Sequence, residues 1–221
     1  MRPKNAALAA RPDSESRERR DNRHEISIWS DFVCPYCFLA EGPLDEATRG
    51  LDVRVNWMPF ELRPYPKPTL RPEGEYLQTV WRRSVYPLAA ELGVDIRLPD
   101  VSPQPYSRLA HDGLLFAKEH GKAADYVDAV FRAFFQRSLD IGDPSVLQSV
   151  AEEVGLEGAA FAAALEDGRY AADHQASLAL ARQLGIRAVP TIIVGDERVV
   201  GMPELESLRR LLARRSSAEK R

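Results

Sequence analysis

The sequence predicts an α/β fold in which a small β-sheet is interrupted by a large all-helical insertion. Residues 25–30 and 51–59 alternate between apolar and polar side chains, which is the pattern of half-buried strands. From residue 73 to residue 185 the apolar residues recur at helical spacing, and no β-rich run interrupts them. The stretch 185–201 then runs from a helix end into two short strands, which complete the sheet.

This pattern predicts the division of the 221 residues into domains. Residues 24–66 and 186–214 together form the domain that carries the sheet. Residues 67–185 form the inserted helical domain. Residues 1–23 are expected to be a disordered basic leader, and residues 215–221 a disordered tail.

The charge of the chain is unevenly distributed. The formal net charge is −3, but residues 1–23 carry seven cations against four acids, and residues 209–221 carry six against one. The part between them is therefore acidic. Because a phosphate-binding face needs clustered Lys and Arg on the folded body, we expect no nucleic-acid partner.

The sequence also bears on the compartment. No apolar run approaches the length of about 18 residues that a membrane helix needs, so no membrane partner is expected. The apolar stretch at residues 6–10 is shorter than the roughly 7–15 residues of a secretory signal core. The chain has two cysteines, whereas disulfide scaffolds use many more. These observations predict a cytoplasmic protein.

Both cysteines lie in one short motif at a strand-to-helix junction. The strand at 25–30 leads through a turn into Cys34-Pro35-Tyr36-Cys37, and helical spacing follows. Pro35 suits the first turn of a helix, which places Cys34 at the helix N-terminus. Unpaired N–H groups and the helix dipole stabilise a thiolate there. We therefore predict that Cys34 is an exposed, attacking thiol and that Cys37 is the more buried, resolving thiol.

The cysteine pair also fits half of a zinc site or a pair of inert buried thiols. Zinc needs two further ligands, and the four histidines show no second pair at ligand spacing; they are His24, His111, His120 and His174. The context of the motif favours a redox dithiol and no metal.

Each helix is marked by its own apolar repeat or by an end signal. In the insertion the repeats lie at residues 77–88, 106–117, 126–135, 146–154, 161–165 and 171–184. Asp143-Pro144-Ser145 is a helix start signal, and Gly121 is a stop signal. The aromatic residues at 131–135 are predicted to be core. Pro43 is expected to divide the helix that follows the cysteines, and a last helix is predicted at 203–212.

A second motif, Val189-Pro190-Thr191, precedes the late strands. Taken alone, it indicates that Pro190 is a strand-entry residue. Taken with the strand-CxxC-helix segment at 26–41, however, it resembles the thioredoxin superfamily. That resemblance implies a thioredoxin-like fold, a cis Val189–Pro190 bond, and a Pro190 that faces the active site. It also implies that Val189 and Pro190, with Pro35 and Tyr36 of the motif, position the substrate.

The helical insertion makes the chain resemble the DsbA family of that superfamily. The strings at 30–40 (SDFVCPYCFLA) and 58–64 (MPFELRP) are most similar to its cytoplasmic, frenolicin-type branch. The resemblance implies a protein thiol–disulfide oxidoreductase or disulfide isomerase that acts on disulfide-containing proteins. It implies no cofactor beyond the redox-active Cys34–Cys37 disulfide, with glutathione or a reductase as the electron partner.

The chain departs from this family at one position and leaves two other functions open. Thioredoxin and DsbA carry a buried acid where this sequence has Ile28. Asp31, Glu61 and solvent are the candidate substitutes for this acid. The same architecture serves 2-hydroxychromene-2-carboxylate isomerase and kappa-class glutathione transferase, which place a serine where Cys34 stands. A glutathione-dependent isomerase or transferase is therefore the main alternative. A binding or chaperone module without redox turnover is the third hypothesis.

Overall fold

Strands from both ends of the chain share one sheet. In the computed structural model, which describes residues 25–218, the strands are β1 (Glu25–Ser30), β2 (Arg54–Pro59), β3 (Thr191–Val194) and β4 (Glu197–Val200). Their order is β2-β1-β3-β4. β1 is parallel to β2, whereas β3 is antiparallel to both β1 and β4. The predicted α/β, thioredoxin-like fold class is confirmed.

β1 is a central strand, paired with β2 on one side and with β3 on the other. Ile28 is opposite Trp57 of β2 on one side and Ile192 of β3 on the other. The β-branched residues Ile26 and Ile28 are fully buried, as the alternation predicts. β1 ends at Ser30, and the three residues 31–33 lead from this central strand to the cysteine motif.

The helix after the cysteines is divided, as predicted from Pro43. α1 (Pro35–Leu39) ends before Ala40, and α2 (Glu41–Thr48) begins after it. Pro43 lies in the first turn of α2, where its missing N–H and its ring prevent a hydrogen bond to the carbonyl of Leu39. The helix is therefore interrupted at Ala40, and the short α1 carries Cys37 with Cys34 at its N-cap.

All the helices between β2 and β3 belong to the insertion, and the described residues there form no strand. They are α3 (Glu75–Val80), a π-helical turn (Trp81–Val85), α4 (Tyr86–Leu92), α5 (Arg108–Glu119), α6 (Ala123–Phe135), α7 (Pro144–Glu153), α8 (Gly158–Glu166) and α9 (Ala171–Gln183). The predicted start signal of α7 is confirmed, because the Asp143 carboxylate accepts a hydrogen bond from the Ser145 N–H at 2.8 Å. Gly121, with a φ of 68°, follows the end of α5.

The aromatic side chains of α6 join the insertion to the helix that carries the cysteines. Phe131, Phe134 and Phe135 are fully buried, so their prediction as core is confirmed. Phe38 of α1 stacks on Phe131 and Phe135, with ring centroids 5.6 and 5.7 Å apart. Phe32, just before the cysteine motif, lies 5.2 Å from Phe131. The insertion therefore packs against α1 through apolar contacts.

The last helix is longer than the sequence predicted. α10 runs from Leu205 to Ala218 and packs against α2 through its buried Leu208 and Leu212. Residues 215–218, which we expected to be disordered, are helical because no glycine or proline stops the helix before them. The predicted leader and residues 219–221 of the tail lie outside the described residues. None of the helices described is both long enough and apolar enough to cross a membrane.

Candidate active site

The backbone fixes Cys34 at the start of α1. Cys34 is the N-cap residue, with the extended φ and ψ of −95° and 111°, and Pro35 follows as the first helical residue. The carbonyl of Cys34 accepts hydrogen bonds from the N–H groups of Cys37 and Phe38, at 3.0 and 3.4 Å. Its own N–H donates to the carbonyl of Asp31 at 3.0 Å. The turn from β1 to α1 therefore holds both cysteines in one compact loop.

Both cysteines are free thiols, and both are buried. Cys34 is 4% exposed and Cys37 is 0% exposed, so the predicted order of accessibility is confirmed. The prediction of an exposed Cys34 is wrong. The Cys34 Sγ donates a weak hydrogen bond to the carbonyl oxygen of Val189 at 3.7 Å, so the loop before β3 covers it.

The two thiols do not have equal surroundings. Burial raises the pKa of the Cys37 thiol well above its usual range, and the hydrogen bond and charge of Cys34 raise that pKa further. The backbone of Asp31 and the hydroxyl of Ser30 lower it, with smaller effect. Cys37 is therefore a thiol at neutral pH, which fits the role of a group that acts second.

The loop that reaches Cys34 contains the predicted cis bond. The Val189–Pro190 peptide is cis, as the family resemblance implied. The carbonyl of Pro190 accepts from the N–H of Gly201 at 2.8 Å, and the hydroxyl of Thr191 donates to the carbonyl of Ala188 at 2.7 Å. These bonds anchor the loop on both sides of Val189. Of the remaining predicted site residues, Pro35 and Tyr36 are half-buried at the start of α1.

The segment 60–62 continues β2 past its end and runs beside the cysteine loop. The N–H of Phe60 donates to the carbonyl of Ser30 at 3.0 Å, and the N–H of Leu62 donates to Asp31 Oδ2 at 2.7 Å. The other oxygen of Asp31 accepts from the N–H of Val33 at 3.3 Å. Asp31, a candidate substitute for the acid missing at Ile28, is thus fully buried at the base of the loop.

Two buried histidines of the insertion contact this segment, although the sequence drew attention to them only as candidate zinc ligands. His111 Nε2, on α5, lies 3.0 Å from the carbonyl of Phe60, so it donates, and 3.9 Å from Asp31 Oδ1. His174 Nε2, on α9, lies 2.8 Å from Glu61 Oε1. The described residues contain no group of three or more His, Cys, Asp or Glu side chains arranged to hold a metal ion.

Further charged groups complete the buried cluster around His174. Its Nδ1 lies 3.3 Å from Asp112 Oδ1 without hydrogen-bonding geometry, and Asp112 Oδ2 lies 3.6 Å from Arg108 Nε. Burial lowers the pKa of His174, but Asp112 and Glu61 together outweigh burial and raise it to about 9. His174 is therefore cationic at neutral pH. Burial and the charge of Asp112 also raise the pKa of Tyr126, on α6.

A cleft adjoins the Glu61 side of the cluster. It has a volume of about 610 Å³, and residues of both the 60–66 stretch and the insertion line it. Its lining includes Glu61, Tyr65, Tyr106, Arg108 and Arg182, but neither cysteine. Tyr65 is 80% exposed and meets Tyr106 edge to face, with ring centroids 5.7 Å apart. This cleft is therefore a solvent-exposed, partly aromatic surface that is separate from the dithiol.

Comparison with known sequences gives two matches over most of the chain. The family model described as the DSBA-like thioredoxin domain matches residues 25–213. The uncharacterized protein YwbO of Bacillus subtilis is 47% identical over 178 residues, which are 80% of this chain and 89% of that protein.

Solved structures with the same fold include several enzymes, all less than 25% identical. A probable DsbA oxidoreductase from Streptomyces coelicolor has a TM-score of 0.73 and 24% identity, over 87% of this chain and 90% of that one. A 2-hydroxychromene-2-carboxylate isomerase has a TM-score of 0.73 and 19% identity, over 89% and 99%. The cytosolic disulfide reductase DsbM from Pseudomonas aeruginosa, with GSH, has a TM-score of 0.65 and 20% identity, over 89% and 98%.

Proposed function

The chain belongs to the DSBA-like thioredoxin domain family, and on that premise we propose that it is a thiol–disulfide oxidoreductase of protein substrates. One observation carries the proposal. Two free thiols in a C-x-x-C motif lie at the start of a helix, and Cys34 Sγ lies 3.7 Å from the carbonyl of Val189, next to the cis Pro190.

Reduction of a client disulfide takes two exchanges. The Cys34 thiolate attacks one client sulfur, a mixed disulfide forms, and the other client sulfur leaves as a thiolate that takes a proton. Cys37 then loses its proton and attacks Cys34 Sγ, which releases the second client thiolate. The two electrons that the client gains come from the dithiol, which ends as the Cys34–Cys37 disulfide. The reverse sequence oxidises a client dithiol.

The loop before β3 positions the client in this proposal. The carbonyl of Val189 is the acceptor of the Cys34 thiol in the resting protein. An extended client segment that donates its own N–H to that carbonyl would replace this contact and bring its disulfide over Cys34. Pro190 fixes the backbone beside Val189, and Pro35 and Tyr36, which follow Cys34 and are half-buried, would contact the client on the other side of the thiol.

The electron partner in this proposal is a thiol and not a bound cofactor. Two glutathione thiols, or the dithiol of a reductase, return the Cys34–Cys37 disulfide to the reduced state and become a disulfide themselves. We also propose a cytoplasmic location, where a glutathione pool supplies the reductant. The similarity in fold to a cytosolic disulfide reductase crystallised with GSH supports both points.

The alternative functions differ in what they require of Cys37. The fold is shared with a 2-hydroxychromene-2-carboxylate isomerase, but an activating group at position 34 is all that glutathione-dependent chemistry of that type needs. Cys37 would then be idle, although its raised pKa and its contact with Cys34 suit a resolving thiol. A chaperone would need neither cysteine. The presence of both thiols in one loop therefore favours the oxidoreductase.

Insulin reduction coupled to glutathione and glutathione reductase tests the proposal. We expect turnover by the wild-type protein, no turnover by Cys34→Ser, and at least a tenfold loss in Cys37→Ser, because the mixed disulfide is then not resolved. Wild-type protein that reduces no insulin would contradict the proposal. Glutathione-dependent isomerase activity that survives in Cys37→Ser, or suppression of aggregation by the double variant, would then identify the other functions.

A further inference from the structure

Residues 60–62 are the structural link between the helical insertion and the dithiol loop: Phe60 and Glu61 are partly buried, and Leu62 is exposed. On one side it hydrogen-bonds to Ser30 and Asp31, at 3.0 and 2.7 Å. On the other side it is contacted by two histidines of the insertion, each at 3.0 Å or less. This short segment thus has polar neighbours in the sheet domain and in the insertion.

The two histidines come from different helices and contact different parts of the segment. His111, on α5, donates through Nε2 to the backbone carbonyl of Phe60. His174, on α9, contacts the carboxylate of Glu61. Their rings meet at a centroid distance of 5.7 Å, and each is at most 1% exposed. We name these two side chains on residues 60–62 the histidine clamp.

The charges around the clamp explain why it holds its position. The buried carboxylates of Glu61 and Asp112 lie on either side of the His174 ring, at 2.8 and 3.3 Å. Arg108 lies on the far side of Asp112. A buried carboxylate without a cationic or hydrogen-bonding partner costs folding free energy. This cost keeps the Glu61 carboxylate in contact with His174. The position of Glu61 in turn determines the position of the next residue, Leu62.

Leu62 passes this constraint to the cysteine loop. Its N–H donates to Asp31 Oδ2, whose other oxygen accepts from Val33, and the carbonyl of Asp31 accepts from the N–H of Cys34. The path from His174 to Cys34 therefore consists of short hydrogen bonds and one covalent step along the chain. The backbone of Asp31 also lowers the pKa of the Cys37 thiol, against the larger effect of burial.

We propose that His111 and His174 are positioning residues for the dithiol: by holding residues 60–62 against Asp31, they make the redox equilibrium of Cys34 and Cys37 depend on the helical insertion. This inference deepens the proposed function and rests on it for its biological meaning. Neither histidine touches a thiol. Their effect is transmitted by the backbone of Phe60 and Leu62, and the insertion is thereby part of the redox site.

Hydrogen exchange and a thiol equilibrium, measured on the full chain, test the proposal together. The first variant, His174→Gln, removes the positive charge of the imidazole. The second, Glu61→Gln, removes the carboxylate that faces His174 and keeps a side chain of the same shape. The matched control is His120→Gln, because His120 lies after α5 and its ring contacts the carbonyl and the ring of Phe116. The dithiol–disulfide equilibrium is measured in glutathione buffers of defined ratio, by mass after alkylation.

In His174→Gln and in Glu61→Gln we expect amide exchange at residues 58–64 and 30–37 to accelerate at least tenfold. Exchange at residues 191–200 should stay within twofold of wild type. The equilibrium constant with glutathione should change at least threefold, and the control should leave both quantities within twofold of wild type. Acceleration spread evenly over the sheet, or an unchanged thiol equilibrium, would overturn the proposal. Neither measurement needs a client protein, so a failure of the proposed function would be seen separately in the insulin assay. If His174→Gln does not fold, Glu61→Gln still decides the question.

Discussion

The raised pKa of His174 predicts a stability component that disappears at alkaline pH. In the folded protein Asp112 and Glu61 raise this pKa to about 9, from an ordinary value of 6.5. A group whose folded-state pKa is raised stabilises the fold fully below its unfolded pKa, and its contribution is lost as the pH rises through the folded value. The loss therefore falls between pH 6.5 and pH 9.

The size of this component follows from the two pKa values. Each pKa unit corresponds to about 1.4 kcal/mol, so the shift of His174 corresponds to about 3 kcal/mol of unfolding free energy. Other groups also make stability depend on alkaline pH: burial lowers the pKa of Lys118 to about 8, and burial raises the pKa of the Cys37 thiol. The informative quantity is therefore the difference between wild type and His174→Gln, in which those groups cancel.

Urea denaturation with a thiol reductant measures that difference at pH 6, 7.5 and 9.5. The difference in unfolding free energy between wild type and His174→Gln should fall by about 3 kcal/mol from pH 6 to pH 9.5, as His174 loses its proton. His120→Gln should show no such trend. A difference that is constant with pH, or that grows toward alkaline pH, would refute the assignment of a buried cation at His174.

Four further predictions concern the thiols, an amine and the core. Cys37→Ser should trap mixed disulfides with client proteins on non-reducing gels and Cys34→Ser should trap none, since only Cys34 attacks; equal trapping would contradict these roles. The DsbA motif carries a histidine between its two cysteines, whereas this chain has Tyr36, which does not become cationic. The dithiol potential should therefore lie near the range of glutaredoxins, about −200 to −230 mV, in glutathione buffers; a value near the DsbA potential of about −120 mV would be inconsistent with this reasoning. Lys118, whose pKa burial lowers to about 8 beside a cavity of about 400 Å³, should acetylate at least threefold faster at pH 8 than the exposed lysines, as peptide mass spectrometry would show. Phe131→Ala should cost about 3–5 kcal/mol in urea denaturation, because it empties a fully buried site among four aromatic rings; a loss under 1 kcal/mol, which is about a fivefold change in the folding equilibrium, would argue against that packing.

Local patterns in the sequence were sufficient for most of the secondary structure. The alternation at 25–30 predicted β1 with the same bounds, and Pro43 predicted the division of the first helix. These features depend on interactions between near neighbours in the chain. The sequence predicted an uninterrupted helix across Trp81–Val85, where the structure has a π-helical turn. Pro87, two residues later, is the local signal that was missed, because it has no N–H to donate to the carbonyl of Arg83.

The parts of the site that were missed depend on contacts between distant residues. Cys34 was expected to be exposed because nothing in the adjacent sequence covers the start of the helix. In the structure it is covered by Val189, which lies 155 residues later in the chain. His174 is 113 residues from Glu61, and no spacing rule connects them. A lone histidine in a helix gives the same pattern whether it is core, ligand or positioning residue. Only the packed structure distinguishes these roles.

The separation between Cys34 and Val189 also has a consequence for synthesis of the protein. The central strand β1 emerges first from the ribosome, but its partner β3 is made last. At about 5–20 residues per second, the ribosome needs roughly 8–30 seconds to translate the intervening 155 residues. During that interval Cys34 lacks the carbonyl of Val189 that its thiol contacts in the finished fold. The attacking thiol is therefore made well before the loop that covers it.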